Sequence, residues 1–311
     1  MDFDHDVVII GGGIAGITAA QFTARENLNT LVLEELANGG QALLVNDLEN
    51  YPGFSDPVSG IDFAMRLEKQ ARNFGVQFKV ASVSKVQKNG KGFVITADQK
   101  EITARGVIIA SGSQHKTLGI PGETEFAGKG VSYCGTCDGP FYKNRKILVI
   151  GGGDNACEEA EFLSKLTDKL TIIHRGETFR AQKALSSRIV SNQRINVQMS
   201  TVCTEIRGTD RVRSVVLKNT KTGDKTEAQI DGVFIFVGSK PRSEIFPELE
   251  KNEEGYLITD ERLCTSVPGI FAAGDVRDMP FRALVSGAAD GALAGHRIAQ
   301  YLDGKDSPKK Q

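Results

Sequence analysis

Residues 7–16 read Val7-Val8-Ile9-Ile10-Gly11-Gly12-Gly13-Ile14-Ala15-Gly16. Four β-branched residues running straight into a glycine cluster predict a strand, a tight turn and the start of a helix, and the helical pattern continues to Arg25. Such a turn lets the backbone come close to a pyrophosphate, whose charge rests at the helix N-terminus, so Gly11, Gly13, Ala15 and Gly16 are candidate nucleotide contacts. A second strand, Thr30-Leu31-Val32-Leu33, ends at Glu34, 23 residues after Gly11. A carboxylate at that spacing accepts hydrogen bonds from an adenosine ribose.

The same unit recurs 140 residues later. Ile147-Leu148-Val149-Ile150 leads into Gly151-Gly152-Gly153-Asp154-Asn155-Ala156 and an amphipathic helix through Leu166. The chain therefore carries two nucleotide-binding units. They differ at the end of the second strand, where the equivalent of Glu34 is His174, followed by Arg175 and, five residues on, Arg180. Exchanging the acid for cations is how this fold accepts a 2′-phosphate, so the second nucleotide is expected to be NADPH.

Just before the second unit stands Tyr133-Cys134-Gly135-Thr136-Cys137-Asp138-Gly139-Pro140. Two cysteines separated by two small residues can close and reopen a short disulfide ring, and a thiol in such a pair has a lowered pKa. Asp138 is placed to deliver and remove the proton as a thiolate leaves and returns. Half a zinc site is the competing reading, but Cys157, Cys203 and Cys264 are scattered and have no Cys or His neighbour at ligand spacing.

A net charge of -1, with no basic tract beyond Lys309-Lys310, argues against nucleic acid and anionic membranes as partners. No apolar run is long enough to span a bilayer, and Met1-Asp2-Phe3-Asp4-His5-Asp6 is acidic where a signal peptide is basic, so a cytoplasmic protein is expected. Five cysteines do not make a secreted disulfide framework. Between the motifs, apolar residues at 61, 64, 67, 71 and 74 predict a helix, strands are expected at 78–83, 93–97, 107–110, 197, 212–217 and 233–237, and the Gly/Ala-rich stretch from Ala283 to Leu302 reads as a closely packed helix.

Taken together, Gly11-x-Gly13-x-x-Gly16, Gly39-Gly40-Gln41, Glu49-Asn50-Tyr51-Pro52-Gly53, Cys134-x-x-Cys137-Asp138-Gly139, Gly151-x-Gly153-x-x-Ala156, His174-Arg175 and Gly274-Asp275 resemble low-molecular-weight thioredoxin reductase of the bacterial and archaeal type over essentially the whole chain. The resemblance implies an α/β protein with two Rossmann-like dinucleotide-binding domains, the second inserted into the first. FAD is expected in a discontinuous domain of residues 1–116 and 244–311, and NADPH in residues 117–243, which carry the dithiol. The resemblance also implies a homodimer, with Gly40, Gln41, Asn50, Gly112, Gly274, Asp275, Arg282 and Ala283 near the flavin.

In that family a hydride passes from NADPH to FAD and then to the disulfide. Cys137 is expected nearest the flavin and Cys134 attacks thioredoxin, after a rotation between domains for which Pro121 and Pro241 are candidate hinges. Two positions depart from the pattern: Gly176 replaces an arginine of the NADPH signature, and Ala283 replaces a glutamine near the flavin. They leave open NADH or ferredoxin as the donor, or a different disulfide partner. A non-catalytic flavoprotein redox sensor would have no need of His174 and Arg175. The other three cysteines read as small buried hydrophobes.

Overall fold

The computed structural model describes residues 3–305 apart from 46, 47, 49 and 57, and of Cys137 it describes the backbone alone. Glu49 and the terminal stretch 307–311 lie outside the described residues. Among the described residues the α-helices are α1 (Ile14–Arg25), α2 (Gly60–Arg72), α3 (Gly135–Asp138), α4 (Asp154–Ser164), α5 (Lys183–Ser191) and α6 (Leu284–Leu302). The chain divides into two compact units, Met1–Gln114 with Lys240–Gln311 and His115–Ser239. Among the described residues no helix is long and apolar enough to cross a membrane.

In the first unit the run Val7 to Ile10 is buried on both faces, as a continuous β-branched strand demands. Its strand, His5–Ile10, lies parallel to Thr30–Glu34 on one side and Lys100–Ile109 on the other. Lys100–Ile109 is long enough to pair twice. Its last residues run parallel to Ile270–Ala272, and its first residues run antiparallel to Gly92–Ala97. The expected strand at 78–83 is two strands, Gln77–Val80 and Val83–Asn89.

Helix α6 packs on α1 through Gly287, Gly291 and Gly295. A Cβ on Gly291 would overlap the Ala15 carbonyl, and one on Gly295 would sit 2.7 Å from that of Ala19. This four-residue spacing of glycines is why the last helix is so poor in large side chains. The face predicted for α2 is rotated: Ile61 is 54% exposed whereas Phe63 is 2% exposed. The aromatic loop explains the shift, because the rings of Tyr51 and Phe54 lie 4.7 and 5.9 Å from that of Phe63 and draw it inward.

The second unit repeats the first in register as well as in sequence. Val7 stands opposite Thr30, and 140 positions on Ile147 stands opposite Leu170. Its parallel sheet runs Ile195–Gln198, Leu170–Ile173, Ile147–Gly151, Gly232–Phe236, Val131–Ser132. Ala156, Ala160 and Leu163 of α4, with Leu185 and Ile189 of α5, cover one face of the sheet. Ile206, Val215 and Leu217 cover the other, from the antiparallel strands Thr201–Gly208 and Val212–Asn219. Lys225–Gln229 completes that three-stranded layer, of which only the middle strand shows a clear apolar pattern in the sequence.

Candidate active site

Gly11 has φ +108, and a Cβ there would overlap the Ala110 carbonyl, so only glycine fits the first turn. Gly16 abuts the Gly11 carbonyl, which brings α1 tight against the strand. Glu34 reaches back to this turn: its Oε2 accepts the Gly12 N–H at 2.6 Å and its Oε1 accepts the Leu36 N–H at 3.1 Å. The Gly39 N–H donates to the Gly12 carbonyl at 2.7 Å, which sets Gly40 beside Gly13.

Gln41 continues that loop. Its Nε2 donates to the Ser113 carbonyl and Oγ, both at 3.2 Å, and approaches Asp275 Oδ2 at 3.5 Å. Asp275 lies on the turn that starts at Gly274, whose N–H donates to Asp290 Oδ2 at 3.0 Å. Asp290 is itself paired with Arg277 at 3.5 Å, both side chains 15% exposed. Burial raises the Asp275 pKa, and Arg282 opposes the rise. The Arg282 guanidinium stacks on Tyr256 at 3.9 Å, and its Nε is buried with no hydrogen-bond partner among the described residues.

A buried acid beside an unsatisfied guanidinium nitrogen is a polar surface that a bound group would complete. Gly112 has φ +67 and open space where a Cβ would stand, and Ala283 caps α6 by donating its N–H to Ser286 Oγ. Asn50 is exposed on a turn. Ser113, Arg277 and Asp290 were not singled out from the sequence. Ser113 directly follows Ser111-Gly112 at the end of a strand, which is a usable signal, whereas Asp290 and Arg277 carry none.

In the second unit the Gly152 carbonyl accepts the N–H groups of Arg180 at 2.7 Å and Ala181 at 3.1 Å. This brings Arg180 to the turn formed by Gly151 and Gly153, and α4 starts there with Asn155 exposed and Ala156 buried. Asp154 ties the loop down, its two oxygens accepting the Gln182 N–H at 2.7 Å and Nε2 at 2.9 Å. His174 does not act as a third cation. Its ring is 7% exposed and packs against Gly152 and Gly176, where a Cβ on Gly152 would overlap the imidazole. Burial, reinforced by Arg180 and Arg175, lowers its pKa below 6.5 and leaves it neutral at pH 7. The charge of this corner belongs to Arg175 and Arg180, both exposed.

Cys134 is disulfide-bonded, whereas Cys157, Cys203 and Cys264 are not part of a disulfide. Cys137 lies in α3, and its side chain is outside the described residues. Ser132 Oγ accepts the Cys134 N–H and donates to the Cys134 carbonyl, both at 3.1 Å, and the Cys134 sulfur sits 3.3 Å from Thr136 Oγ1. The Asp138 N–H closes the turn on the Cys134 carbonyl at 3.2 Å. Tyr133, the preceding residue, donates its hydroxyl to buried Glu123 at 2.8 Å and stacks on His115 at 3.8 Å. Ser132 and Glu123 are again residues that the sequence did not reveal. Burial pushes the Cys157 thiol up to about 12 and the Cys203 thiol up to about 11, so neither competes as a thiolate.

The profile of the pyridine nucleotide-disulphide oxidoreductases matches residues 5–295. The chain belongs to this family. The family's thioredoxin reductase of Treponema pallidum (strain Nichols) is 50% identical over 303 residues, covering 97% of this chain and 99% of that one. That of Bacillus subtilis (strain 168) is 41% identical over 96% of this chain and 95% of its own length. The solved thioredoxin reductase of Lactococcus lactis superposes with a TM-score of 0.94 at 40% identity, covering 97% of this chain and all of that one.

Proposed function

We propose that this chain is an FAD-dependent thioredoxin reductase that passes two electrons from NADPH to the Cys134 disulfide and from there to oxidised thioredoxin. One observation carries the proposal: a disulfide-bonded cysteine of a Cys-x-x-Cys stands one turn before the second of two in-register dinucleotide folds. No zinc chemistry accounts for a cysteine already bonded to sulfur.

FAD would be held by Gly11, Gly13, Ala15 and Gly16 at its pyrophosphate and Glu34 at its ribose. Both oxygens of Glu34 are already engaged with backbone and keep a second lone pair each. Gly40, Gln41, Asn50, Gly112, Gly274, Asp275, Arg282 and Ala283 would line the rest, and the unpartnered Arg282 Nε fits a bound acceptor. NADPH would rest on Gly151, Gly153, Asp154, Asn155 and Ala156, with Arg175 and Arg180 on its 2′-phosphate and His174 as the packing beneath. Bound FAD supplies the step between a two-electron hydride donor and a disulfide.

The remaining chemistry belongs to the chain. Opening the disulfide takes two electrons and two protons, and Asp138, immediately after the pair, handles the proton that travels with the leaving sulfur. The Cys134 thiolate then attacks the thioredoxin disulfide to form a mixed disulfide, which Cys137 resolves, and the pair closes again. A cytoplasmic homodimer is part of the proposal. The test is reduction of thioredoxin by the purified flavoprotein with NADPH, NADH or reduced ferredoxin as donor. NADPH alone supporting fast turnover, lost in Cys134→Ser with flavin retained, is the expected result. Turnover with ferredoxin alone, or flavin lost with the cysteine, would overturn it.

A further inference from the structure

Beneath the dithiol turn lies a carboxyl group that the chemistry above does not use. Glu159 projects from α4 into α3, and its Oε2 occupies the space that a Cβ on Gly135, between the two cysteines, would need. That oxygen is buried and has no hydrogen-bond partner among the described residues. The amides of Gly135 and Thr136 donate to the Glu159 carboxyl and oppose the rise in its pKa, yet Oε2 itself keeps no partner among the described residues. An ionised carboxylate in that position is short of solvation and partners, whereas a protonated one is tolerated.

We propose that Glu159 is a positioning residue that takes up a proton when the disulfide is reduced and returns it when the pair is oxidised, so that one sulfur can remain a thiolate near neutral pH. The inference rests on the reading of Cys134 and Cys137 as the redox pair. Its physical basis is competition. A thiolate in the turn and a carboxylate at Glu159 both draw on the amides of Gly135 and Thr136, and each destabilises the other across a poorly solvated gap. In reduction by a small dithiol the S–S bond opens and the reductant becomes a disulfide. Two electrons and two protons are transferred, one proton ending on a sulfur and the other on Glu159, with the second sulfur left as thiolate.

Burial already pushes the Glu159 carboxyl up to about 7, and Glu158 on the same helix adds to the rise. The titratable groups on the packed element α3 are Cys137 and Asp138, Cys134 directly precedes it, and Tyr142 lies on the turn that follows. Glu158 is the charge that acts on Glu159 most directly.

The test needs neither NADPH nor thioredoxin. The oxidised flavoprotein is equilibrated with a small dithiol and its disulfide between pH 6 and 8.5, free thiols are counted by alkylation, and net proton exchange with the solvent on reduction is read with an indicator dye. Wild type should show a break near pH 7 in the plot of midpoint potential against pH, a break absent in Glu159→Gln and retained in Asp138→Asn. Reduction near neutrality should be close to proton-neutral in wild type and release about one further proton per chain in Glu159→Gln, and alkylation of its thiolate should lose the matching pH step. If Glu159→Gln fails to fold, the dye measurement on wild type and Glu159→Asp decides. A smooth wild-type plot, or a break that persists in Glu159→Gln and vanishes in Asp138→Asn, overturns the proposal for Glu159 alone. A pair that no dithiol reduces overturns the proposed function with it.

Discussion

Substituting Gly16 by alanine should damage flavin binding, whereas substituting Ala156 by glycine at the equivalent position of the second unit should not. The two positions occupy the same point of the repeated turn, yet the geometry around them differs. A Cβ on Gly16 would overlap the Gly11 carbonyl oxygen and press on the Ala110 methyl at 3.4 Å, so α1 must retreat from its strand by a distance on the order of 1 Å. Overpacking of this kind costs about 1–3 kcal/mol, which corresponds to a loss of roughly 5- to 150-fold in FAD affinity if the shifted turn no longer meets the pyrophosphate.

At Ala156 the methyl is already accommodated and is 1% exposed. Removing it forfeits one buried methyl, about 1 kcal/mol, and leaves FAD untouched because the residue belongs to the other unit. The assay is fluorescence titration of FAD into apoprotein, with far-UV circular dichroism as the control for folding. An unchanged FAD affinity in Gly16→Ala, or an equal loss in Ala156→Gly, would refute the reasoning and the assignment of FAD to the first turn.

Three further outcomes follow from the geometry. Neutralising Arg175 or Arg180 to Gln should each remove a charge-assisted contact and raise the KM for NADPH about 10- to 100-fold while leaving that for NADH within a small factor. Equal effects on both donors would contradict the assignment of the 2′-phosphate. Replacing Asp290 by Asn should loosen the Gly274 turn and unpair Arg277, which is measurable as faster FAD dissociation; an unchanged dissociation rate would show that Asp290 does not hold the turn.

The third concerns pH. Because the Glu159 pKa in the folded protein lies at about 7, above its ordinary 4.5, the native state keeps a proton that the unfolded chain has lost, and stability falls as pH rises through that window. The difference amounts to about 3 kcal/mol above pH 7, so the oxidised Glu159→Gln protein should gain melting temperature over wild type at pH 8 and gain little at pH 5. The same gain at both pH values would remove the titration argument.

Local pattern carried much of the fold. The β-branched runs at Val7 and Ile147 and the glycines behind them need only neighbours in sequence to be strand and turn, and a 140-residue repeat is visible without coordinates. The Cys-x-x-Cys pair is equally local. Legibility stopped where a partner comes from far along the chain. Phe63 turned inward because of Tyr51 and Phe54, an aromatic cluster no helical period announces. His174 was expected to be a cation at a strand end and is instead a buried ring under Gly152, since only the fold brings that glycine over it. Asp290, sixteen residues beyond Gly274 on a small-residue helix, and Glu159, in an ordinary amphipathic pattern, look like solvated acids until their neighbours are seen.

The most direct measurement is an anaerobic titration of the oxidised protein with NADPH, following flavin bleaching in wild type and in Cys134→Ser. A disulfide in electronic contact with the flavin accepts a two-electron equivalent of its own, so wild type should consume about two equivalents of NADPH per chain before the flavin is fully bleached and Cys134→Ser about one. Identical titrations of the two proteins, or a flavin that dithionite bleaches and NADPH does not, would contradict the account.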